Sequence, residues 1–130
     1  MNKKQVLNFV MESISESSGL EVEKIQPDNT LFNGLGLTSI DMVEIFYMLE
    51  MEYDISLRVS DFEKDIRKDM SGEVFEINNV ITEQGLEAIK QKLPEINSSN
   101  IRSGLTVDQL MEFITVKSLA NLVHAKINKG

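Results

Sequence analysis

The stretch that most constrains this chain runs from Gly34 to Ile55 and reads GLGLTSIDMVEIFYMLEMEYDI. A glycine-punctuated loop leads into Ser39, and apolar residues then recur at helical spacing. That pattern places Ser39 at or just inside a helix N-terminus, with its hydroxyl near the surface. At about 100° per residue, Met42, Ile45, Phe46, Leu49 and Tyr53 fall on one stripe, enough to seat the helix on a core. Ile40, Val43, Tyr47 and Met51 fall on a second face, beside Glu44, Glu50 and Asp54. One stripe suffices for a core, so the second is available to a partner.

Charge sharpens that reading. From Ile25 to Leu57 there are six acids (Asp28, Asp41, Glu44, Glu50, Glu52 and Asp54) and no Lys or Arg, within a net charge of −8. Nucleic acid is disfavoured as a ligand, because neutralising phosphates needs a basic footprint. Complementary partners carry basic docking patches, and their encounter with this face is salt-sensitive. The chain has no cysteine, which excludes a disulfide framework, a thiolate metal site and a Cys nucleophile. It also shows no apolar run of the length a signal peptide or membrane span needs. Cytoplasmic residence without stable membrane insertion is expected, with a monomer as the default state. At 130 residues the expectation is a single domain over 1–130.

In chain order, residues 2–16 read as a first helix with Val6, Phe9, Val10 and Ile14 inward, ended by Ser17-Ser18-Gly19. Residues 20–38 read as a long loop anchored by Val22, Ile25, Leu31, Phe32 and Leu35. Its glycines, Gly34 and Gly36, are read as loop flexibility ahead of Ser39, since the Lys of a P-loop and the preceding strand of a dinucleotide loop are both missing. The run 28–34 lacks the alternating oxygen ligands and closing glutamate of a calcium loop. Beyond Leu57, residues 60–70 read as a short helix with Phe62, Ile66 and Met70 aligned, 72–81 as β-leaning, and 82–93 as a helix capped by Thr82 and stopped by Pro94. Residues 95–103 read as a polar loop. Thr106 caps a further helical stretch, and 115–127 form the last helix.

Leu35-Gly36-Leu37-Thr38-Ser39-Ile40-Asp41, followed by Val43-Glu44, Leu49-Glu50 and Tyr53-Asp54-Ile55, resembles the acyl carrier protein motif. Residues 113–123 resemble that family's closing segment. The resemblance implies an all-α, acyl-carrier-like four-helix bundle, with residues 58–104 as an insertion between the second helix and the C-terminal helices. It implies that Ser39 bears a covalent 4′-phosphopantetheine arm taken from coenzyme A. On that arm, acyl intermediates of fatty-acid, polyketide or related specialised lipid synthesis are held as thioesters. The implied partners are a phosphopantetheinyl transferase and acyl-transferring or chain-extending enzymes. Asp41, Glu44 and Glu50 are assigned to electrostatic contact with them, and Ile40, Val43 and Tyr47 to apolar contact. The family also lets the acyl chain fold back between helices, which makes Ile45, Phe46, Leu49 and Leu119 liners or plain core.

Two departures mark a specialised, enlarged bacterial member: Thr38 stands where the motif most often has aspartate, and Met51 interrupts the acidic run. The insertion can lengthen the acyl pocket, form a docking surface for a dedicated partner, or only decorate the fold. A carrier is not an enzyme, and no convergent catalytic set argues otherwise; the single histidine, His124, reads as an ordinary helical residue. The alternatives are an interaction domain that kept the fold without the arm, and a peptidyl carrier.

Overall fold

The structure, a computed structural model, describes residues 2–128. Its first helix, α1 (Lys3–Ser18), opens with a reciprocal cap in which the Asn2 side chain accepts the Gln5 N–H and the Gln5 side chain accepts the Asn2 N–H. It closes at Gly19, whose φ of +81° is the left-handed geometry glycine tolerates. The helix extends two residues past the expected 2–16. The Ser18 hydroxyl donates to the Ile14 carbonyl, so the serines read as a stop are absorbed into the last turn.

The second helix, α2 (Ser39–Tyr53), buries Met42, Ile45, Phe46 and Leu49 and ends at Asp54 in the left-handed region. The last, α6 (Val116–Asn128), buries Val116, Leu119, Ala120, Leu122 and Val123. Helix α1 packs against both α2 and α6, so its Val6, Val10 and Ile14 stripe fills the middle of the bundle. The proposed acyl-chain liners Ile45, Phe46, Leu49 and Leu119 all lie in this core.

Between α2 and α6 the chain builds α3 (Asp61–Arg67), the strands β1 (Glu76–Ile77) and β2 (Val80–Ile81), α4 (Glu83–Lys92) and α5 (Val107–Met111). The all-α expectation is met apart from this one antiparallel hairpin, in which Glu76 pairs with Ile81 and Ile77 with Val80. Its two-residue turn, Asn78-Asn79, has φ of +52° and +73°, the left-handed pair that tight hairpins need. The other flank of β2 bridges Thr106. Helix α4 is capped by Thr82 as expected and buries Leu86 and Ile89. Residues 95–103, expected to be a polar loop, instead contribute buried Ile96 and Ile101 around a 3₁₀ turn at Ser98–Asn100. The 20–38 loop likewise holds a 3₁₀ turn at Val22–Lys24. A continuous cluster of buried side chains joins Val6 and Leu49 to Phe75, Ile89 and Ile101, so one apolar core runs through both halves.

Candidate functional site

Ser39 is set in place by the loop before it, and that loop is held rather than loose. Thr30 bridges Thr115, the Leu31 N–H donates to the Ile114 carbonyl at 3.0 Å, and the Val116 and Lys117 amides donate to Asn29 and Pro27. Thr30 then folds the glycine turn: its Oγ1 accepts the Gly34 N–H at 2.7 Å and its carbonyl accepts the Leu35 N–H. A Cβ on Gly34 would meet the Thr30 carbonyl oxygen at 2.9 Å. Gly34 therefore permits close approach, and Gly36, with φ of +68°, supplies a left-handed bend. The flexibility read into these glycines is replaced by a fixed turn, with Leu37 buried beneath it.

The N-cap of α2 is Thr38, and Ser39 is the first helical residue. Thr38 Oγ1 accepts the Asp41 N–H at 3.1 Å, while the Asp41 carboxylate accepts the Thr38 N–H at 3.0 Å. Ser17, at the end of α1, donates weakly to the Asp41 carbonyl and carboxylate at 3.4 and 3.5 Å, so the end of α1 lies against the first turn of α2. Ser39 is exposed. Its own N–H and that of Ile40 have no acceptor among the described residues, which leaves two helix-terminal donors open to a phosphate on the neighbouring hydroxyl. The cap is a neutral threonine and the sole acid in the first turn is Asp41, a donor set that suits a phosphodiester.

Beneath Ser39 the second apolar stripe stands free: Ile40, Val43, Tyr47 and Met51 are 71%, 69%, 61% and 67% exposed. Val43 and Tyr47 also line a notch of about 350 Å³ with Met48, flanked by Glu16 and Glu44. The three acids assigned to partners divide on inspection. Glu44 projects into solvent, whereas Asp41 is engaged in the cap and Glu50 accepts the Leu57 N–H at 3.0 Å. His124 lies on α6 against the Asn128 amide and makes no hydrogen bond to Ser39 among the described residues.

Comparison with known family models gives a match that includes this stretch. Residues 8–67 match the family model described as the phosphopantetheine attachment site. The acyl carrier protein of Exiguobacterium sp. is 33% identical over 64 residues, which is 49% of this chain and 81% of that protein. The acyl carrier protein of Cyanidium caldarium is 31% identical over 81 residues, covering 61% of this chain and 94% of that one.

The chain belongs to the acyl carrier protein family.

A third relative, the acyl carrier protein of Chlorobium phaeobacteroides, is 31% identical over 64 residues and is covered to 82% of its length. No solved structure matches the carrier. As a member of this family it is one of the proteins that bear phosphopantetheine. Among the carrier's described residues no helix is long and apolar enough to cross a membrane.

Two positioning groups escaped the sequence reading. Thr30 carries no motif of its own, and its role depends on a bridge across the chain. Ser118 is buried and exchanges hydrogen bonds with Thr115 at the start of α6, while its hydroxyl donates to Glu95 from the preceding loop. The Thr115-x-x-Ser118 spacing was visible as a capping pattern; the Glu95 contact was not.

Proposed function

We propose that Ser39 is the residue that carries the 4′-phosphopantetheine arm, and that the chain presents tethered acyl groups to partner enzymes of fatty-acid, polyketide or related lipid synthesis. The observation that carries this reading is the position of Ser39. It is an exposed hydroxyl at the first turn of a capped helix, directly above a free apolar and acidic stripe. When attached, the arm supplies the terminal thiol that a chain without cysteine lacks.

The chain's own residues do the rest. The Thr30 turn fixes where Ser39 stands, and the open Ser39 and Ile40 amides stabilise negative charge beside it. Ile40, Val43 and Tyr47 offer apolar contact to an incoming enzyme. Glu44 is the acid free to steer basic surfaces, while Asp41 and Glu50 add field from inside their hydrogen bonds. A phosphopantetheinyl transferase docks here first, and acyl-transferring or chain-extending enzymes use the same face afterwards. Residues 58–104 form a family-atypical insertion within a single domain.

Intact mass before and after incubation with coenzyme A and a broad-specificity transferase tests the reading. One phosphopantetheine is gained by the wild type and none by Ser39→Ala. A folded wild type that gains nothing from several transferases would favour an arm-free interaction domain.

A further inference from the structure

The end of α1 and the outer side of α2 meet in the notch of about 350 Å³ lined by Glu16, Ser17, Val43, Glu44, Tyr47 and Met48. It lies about one helical turn below Ser39, since Val43 is four residues on and Ser17 touches Asp41 in the first turn of α2. Val43, Tyr47 and Met48 give it an apolar floor, and the two glutamates are its only charged lining. Both are exposed, and among the described residues neither has a cation within ion-pair distance. Positions 5–23 and 25–57 contain no Lys or Arg, so the two elements that build the notch bring acids alone. The end of α1 adds to the negative field. Its last turn holds no basic residue, and the carbonyls of Glu16, Ser17 and Ser18 accept no backbone N–H among the described residues. The negative end of that helix is thus open to a cation.

We propose that this notch receives an arginine side chain of a docking enzyme, with Glu16 of α1 and Glu44 of α2 as its paired acceptors. The methylene stem lies on Val43 and Met48, the guanidinium plane faces the Tyr47 ring, and its N–H groups reach the two carboxylates. Arginine is favoured over lysine on physical grounds. A guanidinium presents five donors in a planar fork and is less strongly hydrated than an ammonium, so it serves two acceptors on different helices above an apolar floor, where lysine offers a compact, hydrated point charge. The arginine site rests on the reading that enzymes dock along α2 below Ser39, and it extends that surface onto a second helix. Because both carboxylates are solvent-exposed, the pairing acts chiefly on association and weakens as salt rises.

The test uses the full-length apo chain and a broad-specificity phosphopantetheinyl transferase, with kcat and KM for arm transfer measured across ionic strength. Glu16→Gln lowers kcat/KM by roughly two- to fivefold at low salt, through KM and with the melting temperature unchanged, and Glu16→Lys lowers it further. Glu23→Gln removes the same charge at an exposed position outside the notch and leaves the rate near that of wild type. Equal rates for wild type and Glu16→Gln overturn the site, as does an equal loss from Glu23→Gln. The entering side chain is identified with single Arg→Ala variants across the docking surface of the transferase. One of them makes Glu16→Gln silent, the coupling expected of residues in contact. A complete set without such coupling refutes the arginine, and so does an Arg→Lys variant at the coupled position that loads wild type at the full rate. Failure of arm transfer to every form of the chain, wild type included, would instead overturn the Ser39 reading, and the site with it.

Discussion

Glu50 and Glu44 lie on the same helix and carry the same charge, yet the structure gives them separable roles. The Glu50 carboxylate accepts the Leu57 N–H at 3.0 Å and ties down the turn that follows α2, where Leu57 is buried. A hydrogen bond to a charged acceptor contributes about 1.5–3 kcal/mol when well shielded. Glu50 is half-buried, so Glu50→Ala is expected to cost about 1–2 kcal/mol. For 130 residues, unfolding entropy near 60 °C is about 0.27 kcal/mol/K, so that loss lowers Tm by about 4–7 °C. Glu50→Gln keeps an acceptor oxygen and recovers at least half of the loss. Glu44→Ala removes an exposed side chain with no internal partner and shifts stability by less than about 0.5 kcal/mol. Its effect falls on docking, as a several-fold drop in kcat/KM for arm transfer at low salt that fades at high salt. Thermal melts and transfer kinetics on the three variants decide the matter. An unchanged Tm for Glu50→Ala, or an equal drop for Glu44→Ala, would refute the division.

Other positions make independent tests. Gly85 in α4 gains about 1 kcal/mol of helix propensity as alanine, but a Cβ there meets the Phe75 carbonyl oxygen at 2.5 Å and Ile81 Cγ2 at 2.7 Å. Gly85→Ala is therefore expected to be net destabilising by about 1–2 kcal/mol in urea unfolding, and a stabilised variant would contradict the packing described. Ser118→Ala strips hydrogen bonds from buried Thr115 and from Glu95; a loss of about 1–3 kcal/mol is expected, and an unchanged midpoint would contradict it. Burial tends to raise the Asp61 carboxyl, but the Arg58 N–H and Lys126, with Lys64 nearby, outweigh it and hold the group below the usual carboxylate range. A depressed folded-state value stabilises above the unfolded value of about 3.9 and is lost as pH falls through the folded one. The stability gap between wild type and Asp61→Asn should therefore be full near neutrality and shrink below about pH 4. Urea unfolding across that range measures it, and a gap that does not change with pH would count against the pairing.

The α2 helix was legible because both of its stripes are local. Periodicity alone separated Met42, Ile45 and Leu49, now buried, from Ile40, Val43, Tyr47 and Met51, now exposed. The Thr38 and Thr82 caps were likewise within reach of short-range pattern. What stayed hidden depends on pairing across the chain. Residues 72–81 were read as β-leaning and do hold the hairpin, but with only two residues per strand alternation could not give its pairing, although Asn78-Asn79 was a usable turn signal. Ile96 and Ile101 are single apolar residues in polar surroundings, so composition concealed that both reach the core. Asp41 and Glu50 were local misses instead: their carboxylates engage the Thr38 and Leu57 amides three and seven residues away, contacts that assigning both acids to partners left out.

The bridge between Thr30 and Thr115 has a consequence for the nascent chain. The turn that presents Ser39 takes hydrogen bonds from Leu31 to Ile114 and from Val116 and Lys117 back to Asn29 and Pro27, and α1 packs against α6. While residues 114–123 remain in the ribosomal tunnel, α1 lacks one of its two walls and the Ser39 turn lacks its outer support. The substrate for a modifying enzyme is thus assembled by the last helix, some 75 residues after the serine has been translated. With Ser39 as the proposed attachment residue, a chain that stops before the last helix is expected to be a poor acceptor of the arm, because the turn before Ser39 then lacks its partners at 114–117.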